Sequence, residues 1–412
     1  MNSRTLTSHR RASLFTLLSA NAVSEFGSML TMVALPWFVL QTTGSAAKAG
    51  ITLAVDTVPI LFAGLFGGVL VDRLGYKTSS VVADLSSGLV VAAIPLAYLT
   101  VGITFWQLLV LVFLASLVNQ PGRIARTSLI PDLAERAGMP LVRVNSLAQS
   151  IPRLALLLGP PIAGLLVSLI GASHVLFIDA VTFVVSSLLV LAGIPRSAQP
   201  TDQTRESMLG EVLAGLKYIA SDSLLLWLMI MCSVGSLVAE PLYAIVYPVY
   251  ARQIYGDAVS LGLMFSALAA GCLAGLGLYT LFGTRIPYRV IFVGGFAARA
   301  VALWIMVMLP SLPILLAAIA IEAFCFEPIN PLLISIYQER TPAGMRGRVF
   351  GTANAIAVGT LPIGTIIGGF LLAGPGLVPT IVIIAVACAV HVAFMAALPA
   401  FRDMPAVAQA TT

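Results

Sequence analysis

Charged side chains occur deep inside the long apolar stretches of this chain. Two arginines, Arg153 and Arg299, lie there together with seven acids: Glu25, Asp56, Asp84, Asp179, Glu240, Glu322 and Glu327. A charge inside a lipid bilayer costs about 3 kcal/mol even on lenient scales, so each of these residues needs a partner or a function. Carboxylates in such surroundings can exchange protons, which makes this set a source of candidates for proton coupling and for contact with a cationic substrate.

Glu25 and Glu240 hold similar positions in two corresponding stretches, and each is followed by a proline, Pro36 and Pro248. This symmetry predicts that both acids face a central cavity. At least one of them is then expected to carry the proton or to meet a cationic substrate. The alternative is a buried acid that is hydrogen-bonded to a neighbouring helix.

Glu322 and Glu327 lie in one stretch, and their spacing puts them about 140° apart around a helix. At most one of them is therefore expected to face a cavity. Arg299, in the preceding stretch, is a candidate partner for either acid.

Arg153 is a candidate partner for Asp56 or Asp84, and the sequence leaves that choice open. Asp179 is near the start of its stretch, where a structural role is favoured. Methionine and aromatic side chains adapt to varied apolar shapes, so they are candidates for lining a substrate cavity, with ordinary helix packing as the alternative. The cavity candidates are Phe26, Met29, Met32, Tyr243, Tyr247, Phe324 and Phe326.

The composition requires a membrane protein. Of the 412 residues, 59% are apolar and 9% are charged, whereas soluble domains carry about 25% charged residues. Soluble enzymes, disordered chains, disulfide scaffolds and nucleic-acid binders are excluded. Apolar runs long enough to cross a bilayer predict an all-α protein with twelve spans, at 13–41, 46–74, 77–100, 104–131, 140–170, 173–193, 223–252, 258–283, 287–309, 312–338, 347–373 and 377–399.

Lysine and arginine are concentrated in the segments that lie on one side of these spans. By the positive-inside rule, that side is the cytoplasm, and both termini lie there. The predicted organisation is a tail, a six-helix bundle, a linker with a short amphipathic helix, a second six-helix bundle and a final tail, at 1–12, 13–193, 194–222, 223–399 and 400–412.

A weak internal repeat supports the division into two bundles. Gly50 matches Gly262, and the glycines of Gly159–Leu166 match those of Gly364–Leu371, at spacings of 205 to 212 residues. Two parallel repeats of this kind predict a substrate site between the halves, near the middle of the membrane.

The loop after the second span reads Gly-Gly-Val-Leu-Val-Asp-Arg-Leu-Gly-Tyr-Lys over residues 67–77. It resembles the loop signature of the major facilitator superfamily, although Tyr76 stands where that family usually has a basic residue. An ordinary positive-inside loop is the alternative. The residues that match, and that are expected to act in conformational change, are Gly68, Asp72, Arg73, Gly75 and Lys77.

The fifth span contains Gly159-Pro160-Pro161-Ile162-Ala163-Gly164, which resembles the antiporter motif of drug exporters in that superfamily. Proline bends the helix and glycine lets a neighbour approach closely. Arg346-Gly347-Arg348, after the tenth span, adds to the likeness. The whole chain resembles the drug:proton antiporter branch with twelve spans, which includes macrolide-efflux proteins, and it is most similar to the Tap multidrug efflux pumps of mycobacteria.

This resemblance implies the major facilitator fold and a proton-coupled antiporter of the inner membrane, which exports amphipathic antibiotics such as tetracycline-like compounds by alternating access. It implies the proton gradient as the energy source with no cofactor, a monomer, and drugs, protons and lipids as partners. An exporter or flippase of a siderophore or lysolipid is the alternative. No catalytic array typical of an enzyme occurs in the sequence. One departure is that the arginine motif of the fourth span is not recognisable, because Arg123 and Arg126 are near the inner end.

Overall fold

A computed structural model describes residues 3–195, 208–282, 286–342 and 345–402. Within these ranges, the description excludes the side chains of 3–10, 61–70, 72, 73, 142, 146, 208, 209, 211, 212, 347 and 402. All regular secondary structure in the described residues is helical. The helices are α1 (Ser3–Thr43), α2 (Ala46–Leu74), α3 (Tyr76–Thr100), α4 (Phe105–Ala137), α5 (Leu141–Ile170), α6 (Ala172–Gly193), α7 (Met208–Ser221), α8 (Ser223–Pro241), α9 (Tyr247–Tyr250), α10 (Ala258–Phe282), α11 (Tyr288–Val307), α12 (Leu312–Phe326), α13 (Ile329–Arg340), α14 (Arg346–Ala373), α15 (Leu377–Ala397) and α16 (Pro399–Arg402).

These helices form because a chain in lipid must satisfy its backbone hydrogen bonds within each segment. In the described residues, eleven helical segments are long and apolar enough to cross a membrane. The 29-residue helix α2 occupies the position of the remaining predicted span. The all-helical, multi-span architecture predicted from the sequence is therefore confirmed.

Short polar connections end the helices with recognisable caps. Thr104 and Gln107 form a reciprocal capping box at the start of α4, and Asp222 accepts hydrogen bonds from two backbone N–H groups at the start of α8. Gly138 ends α4 in the left-handed conformation, which glycine adopts without steric cost. These caps satisfy backbone groups that the helices leave unpaired.

The chain divides into two compact units. Unit 1 comprises Met1–Gly44, Thr52–Gln203 and the short segment Asp257–Gly262. Its apolar core includes Leu14 and Leu17 of α1 together with Leu129 of α4 and Val190 of α6. Helix α1 packs against both α5 and α6, and α3 packs against α4 and α6.

Unit 2 comprises Ser45–Ile51, Thr204–Gly256 and Leu263–Thr412. Its core joins Leu225 and Leu228 of α8 to Phe292 of α11 and to Leu332 of α13. In this unit α14 packs against α7 and α8, and α11 packs against α12 and α15.

Two of the predicted spans are helical throughout most of their length but are not single α-helices. The predicted span 223–252 is α8 followed by a π-helical turn (Leu242–Val246), the short α9 and a second π-helical turn (Ala251–Tyr255). The predicted span 312–338 breaks between α12 and α13. Prolines explain both changes, because Pro241 and Pro328 cannot donate the backbone hydrogen bond that an uninterrupted helix needs.

Helix α7 lies within the predicted linker, residues 194–222. Gly215 of α7 lies directly against α14, where an added Cβ would be 2.5 Å from the carbonyl oxygen of Arg348. Leu213 and Leu216 are exposed on α7. The helix therefore has one face packed on α14, whereas the side chains of Leu213 and Leu216 are not covered by the described residues.

Candidate functional site

A buried charge cluster in unit 2 joins three elements. Arg299 of α11 donates through Nε to Oε1 of Glu322 on α12 at 2.7 Å, and both residues are almost fully buried. Its Nη2 donates to the hydroxyl of Tyr243, in the first π-helical turn, at 2.9 Å. That hydroxyl donates to the same Glu322 oxygen at 3.2 Å. The sequence named Arg299 as a partner for either acid of this region, and the structure selects Glu322.

Aromatic rings enclose the cationic side of the cluster. The guanidinium carbon of Arg299 lies 3.6 Å from the ring centroid of Phe326 and 6.0 Å from that of Phe296. Tyr247 packs edge-on against Tyr243, with their centroids 5.6 Å apart. Such contacts hold a cation in place in an apolar interior without a second carboxylate.

The second oxygen of Glu322, Oε2, is buried and has no hydrogen-bond partner in the described residues. A cavity of about 10 Å³ adjoins Glu322 and Arg299 and is lined otherwise by apolar residues and by Tyr247. A cavity of this size holds about one water molecule. The carboxylate therefore has one oxygen bonded to Arg299 and Tyr243 and one oxygen without a partner in the described residues.

Glu240 is at the end of α8, directly before Pro241 and the first π-helical turn. Its side chain is partly buried, and no hydrogen bond or ion pair to it is formed within the described residues. Helix α14 approaches it closely, because an added Cβ on Gly364 would lie 3.4 Å from the Cβ of Glu240. π-helical turns of this kind are frequent at functional sites.

Unit 1 contains a different buried ion pair. Arg126 of α4 donates to Oδ1 of Asp84 on α3 at 2.5 Å, and both side chains are almost fully buried. The other carboxylate oxygen of Asp84 accepts from Ser186 of α6 at 2.7 Å, and Arg126 also reaches Ser24 of α1 at 3.4 Å. The partner of Asp84 is thus Arg126, which corrects the prediction that offered Arg153.

Glu25 is also paired, with Arg123 of α4 at 3.1 Å. This contact agrees with the alternative stated for Glu25, a buried acid bonded to a neighbouring helix, because α4 brings a guanidinium to it. The sequence analysis missed both Arg123 and Arg126 as site residues. Their signal was available: two arginines three residues apart share one face of a predicted membrane span.

The remaining intramembrane charges have separate surroundings. Asp179 of α6 accepts hydrogen bonds from Thr182 and from Thr31 of α1, which ties two helices together. The backbone carbonyl of Asp56 accepts from Ser116 at 2.6 Å. Arg153 is partly buried on α5, and Glu327 occupies the break between α12 and α13.

The seven cavity candidates have three kinds of surroundings. Tyr243, Tyr247 and Phe326 surround the Arg299–Glu322 pair, as described above. Met29 packs against α5, where an added Cβ on Gly159 would meet its Cβ at 2.5 Å. The other three are partly buried without a described contact to the cluster: Phe26, Met32 and Phe324.

The loop motif after α2 contributes a turn and a cap. Gly75 separates α2 from α3 with a φ of +81°, a conformation that suits glycine. Lys77 donates to the carbonyl oxygens of Leu191 and Ile194 at the end of α6, where a cation favours the helix dipole. The side chains of Asp72 and Arg73 and the surroundings of Gly68 are outside the described part of the structure.

The glycines of the α5 motif mark close approaches. An added Cβ on Gly164 would be 2.3 Å from the carbonyl oxygen of Ala258, and one on Gly262 would be equally close to that of Pro160. The start of α10 therefore lies directly on α5 within unit 1. Helix α5 continues through Pro160.

The last motif is at the start of α14. Arg346 donates through Nε to the carbonyl oxygen of Thr341 at 3.2 Å, and the backbone of Arg348 contacts α7 at Gly215. Gly347 is part of α14.

Comparison with known proteins gives this architecture its context. A family described as transmembrane secretion effector matches residues 4–411. The multidrug efflux pump Tap of Mycobacterium tuberculosis is 31% identical over 407 residues, which cover 97% of this chain and 96% of Tap. Macrolide efflux protein A of Streptococcus pyogenes is 22% identical over 357 residues, which cover 86% of this chain and 87% of that protein.

The fold agrees with that of a solved transporter. A crystal structure of a variant of the nucleoside transporter NupG superposes with a TM-score of 0.76 at 12% identity, and the match covers 93% of this chain and 99% of NupG. The predicted major facilitator fold and the likeness to efflux proteins are confirmed. The chain therefore belongs to the transmembrane secretion effector family of the major facilitator superfamily, and it is a multi-pass membrane transporter of the drug-efflux type, not an enzyme.

Proposed function

We propose that this transporter exports amphipathic antibiotics, such as tetracycline-like compounds, in exchange for protons and by alternating access. Two relatives support the export of drugs, since one is named a multidrug efflux pump and the other a macrolide efflux protein. The observation that carries the proton part is the free oxygen of Glu322 inside the Arg299–Glu322–Tyr243 cluster.

Protonation of Glu322 would change the charge of the cluster while most contacts of Arg299 remain. With Glu322 ionised, Arg299 holds Oε1 and thereby links α11 to α12. Addition of a proton at Oε2 removes the negative charge, so the electrostatic part of that link is lost. Arg299 remains over the ring of Phe326 and beside Tyr243. Protonation therefore weakens the contact between α11 and α12, while Arg299 keeps its contacts with Phe326 and Tyr243.

Glu240 is the second proposed acid on this route. It lacks a partner in the described residues, and it precedes a π-helical turn in which Tyr243 joins the cluster. A conformational change of that turn would alter the surroundings of both acids. Since the turn replaces a regular α-helical segment, it is a suitable place for such a change.

Inverted vesicles that contain the protein test the proposal. We expect tetracycline uptake to rise when a proton gradient is imposed and to fall to the passive rate when a protonophore collapses it. Glu322→Gln should lose at least tenfold in gradient-driven uptake, because its amide cannot exchange a proton. The matched control is Glu339→Gln, which removes a charge from the exposed surface of α13, and it should transport as the wild type does.

Two results would count against the proposal. Uptake that is indifferent to the gradient would exclude proton exchange, and tetracycline binding that stays undetectable in the purified protein would exclude this drug class. If Glu322→Gln and Glu240→Gln both keep wild-type coupling, the proton is carried elsewhere and the assignment of the site is wrong.

A further inference from the structure

Three helices of unit 1 converge on a polar pocket. Each contributes residues spaced along one helix face, and the pocket has a volume of about 160 Å³. None of the lining side chains is aromatic. They are Leu17, Leu18, Asn21 and Glu25 of α1; Arg123, Arg126, Thr127 and Ile130 of α4; and Asn145, Ala148, Gln149 and Pro152 of α5.

Hydrogen-bond donors of this pocket are left over after all contacts within the described residues are made. The side-chain amides of the partly buried Asn21 and of the exposed Asn145 and Gln149 have no partner there. Arg126 is only 2% exposed, yet its Nε has no acceptor. A buried guanidinium N–H without an acceptor is uncommon in proteins and calls for a bound group that supplies one.

Each arginine of the pocket is paired with one carboxylate, so it is the donors left over by these pairs that favour an oxygen acceptor with negative charge. Arg123 and Arg126 lie on one face of α4, and Arg123 is half exposed with Glu25 on one of its nitrogens. Asp84 holds Arg126 through a different nitrogen. Guanidinium N–H groups that lack an acceptor match the oxygens of phosphate, sulfate or carboxylate groups.

We propose that this pocket binds an oxyanion of the phosphate type, held by Arg123, Arg126 and the three amides. The oxyanion belongs either to a lipid headgroup that enters between the helices or to a water-soluble molecule. The site is distinct from the Arg299–Glu322–Tyr243 cluster, and the proposal is independent of the proposed transport function.

The proposal predicts opposite changes in oxyanion affinity for variants of Glu25 and of Arg123. Its carboxylate holds Arg123, so an incoming oxyanion competes with Glu25 for the same guanidinium and is also repelled by it. Removal of the charge of Glu25 therefore strengthens binding, whereas removal of Arg123 weakens it. A merely structural ion pair predicts that both variants behave alike.

Two probes separate the possible sources of the oxyanion in the purified full-length protein, held in a non-ionic detergent. The first is sodium sulfate, titrated by calorimetry against sodium chloride of equal ionic strength. The second is phosphatidylglycerol, compared by native mass spectrometry with a diacylglycerol that has the same chains. Sulfate binding alone assigns a soluble ligand, and selective retention of phosphatidylglycerol assigns a lipid. Binding of neither probe overturns the proposal.

Three variants complete the test with whichever probe binds. Loss of a charge-assisted hydrogen bond should make Arg123→Gln bind about tenfold more weakly, and Glu25→Gln should bind more tightly than wild type. Arg136→Gln is the matched control, since Arg136 is an exposed arginine of the same helix outside the pocket, and it should bind as wild type does. Equal affinities of Arg123→Gln and wild type, or weaker binding by Glu25→Gln, would overturn the proposal.

Discussion

The two units each contain a buried ion pair between their third and fourth transmembrane helices, but with opposite polarity. In unit 1 the acid, Asp84, is on α3 and the base, Arg126, is on α4. In unit 2 the base, Arg299, is on α11 and the acid, Glu322, is on α12. The two units thus have a buried ion pair between corresponding helices, but the helices that carry the acid and the base are exchanged.

The two pairs also differ in how completely they are satisfied. Both oxygens of Asp84 have partners, Arg126 and Ser186, whereas Glu322 has one oxygen without a partner. Removal of one partner from a buried ion pair is costly, and Asp84 is the more completely hydrogen-bonded of the two acids. This difference is consistent with the structural role that we expect for the pair in unit 1 and with the switching role that we propose for the pair in unit 2.

The largest expected effect tests the structural role of the pair in unit 1. Asp84→Asn leaves Arg126 buried without a counter-charge, which costs about 3–5 kcal/mol of stability. We expect a much lower yield of folded protein and a lower thermal midpoint in detergent. Glu135→Gln, an exposed change on α4, is the control.

The double variant Asp84→Leu with Arg126→Leu sharpens this test. Removal of both charges leaves no unpaired ion, so the double variant should be more stable than Asp84→Asn alone. If it is equally unstable, the loss comes from packing and the ion pair is not its cause.

A second prediction compares two glycines that correspond in the repeat. Gly164→Ala would place a Cβ 2.3 Å from the carbonyl oxygen of Ala258, whereas the nearest atom to a Cβ at Gly369 is the Cα of Gly50 at 3.2 Å. Overpacking of a tight contact costs about 1–3 kcal/mol. Gly164→Ala should therefore lower the thermal midpoint more than Gly369→Ala does.

The control for this pair is Gly277→Ala on α10, where an added Cβ meets nothing within 4 Å. It should leave stability unchanged or raise it by about 0.5–1 kcal/mol, since alanine is the better helix former. Equal losses in all three variants would show that the close approach at Gly164 has no special weight.

A third prediction concerns two cationic caps at matching positions. Lys77 donates to two carbonyls at the end of α6, and Arg289 donates to one, that of Ala396 at the end of α15, at 3.3 Å. We expect Lys77→Met to cost about 1 kcal/mol and Arg289→Met only a few tenths. Thermal unfolding at low salt measures both, and a larger effect of Arg289→Met would contradict the ranking.

The smallest expected effect is outside the membrane. Partial burial raises the pKa of Asp222, but the hydrogen bond from Arg340 and those from the backbone of Leu224 and Leu225 outweigh it, so the pKa lies below its usual value. The stability that this pair contributes is present above the ordinary aspartate pKa and is lost as the pH falls through the lowered one.

Because the pair is largely exposed, its contribution should be below about 1 kcal/mol and should shrink with added salt. Thermal unfolding of wild type and of Asp222→Asn checks this, from neutral pH into the acid range. The two curves should converge at low pH, and a difference that persists there would assign the effect of Asp222 to its capping role rather than to its charge.

Much of the fold could be predicted from the sequence, whereas little of the site could. The spans were recognisable because each apolar run must satisfy its own backbone in lipid. The partner of Glu322 was named because Arg299 is in the adjacent stretch. Arg126 was missed as the partner of Asp84, since which residues of α3 and α4 face each other depends on the rotation and axial shift of the two helices.

The sequence by itself determined that this protein lies in a lipid bilayer, how many spans it has, its family and which residues have charges that must be compensated. Only the tertiary structure decided that Glu25 is paired with Arg123, that Glu322 keeps a free oxygen, and that α8 ends in a π-helical turn. The physical reason is the distance along the chain over which each interaction acts. Hydropathy and helix formation act between neighbours along the chain, whereas an ion pair in the membrane forms only where packing brings two distant helix faces into register.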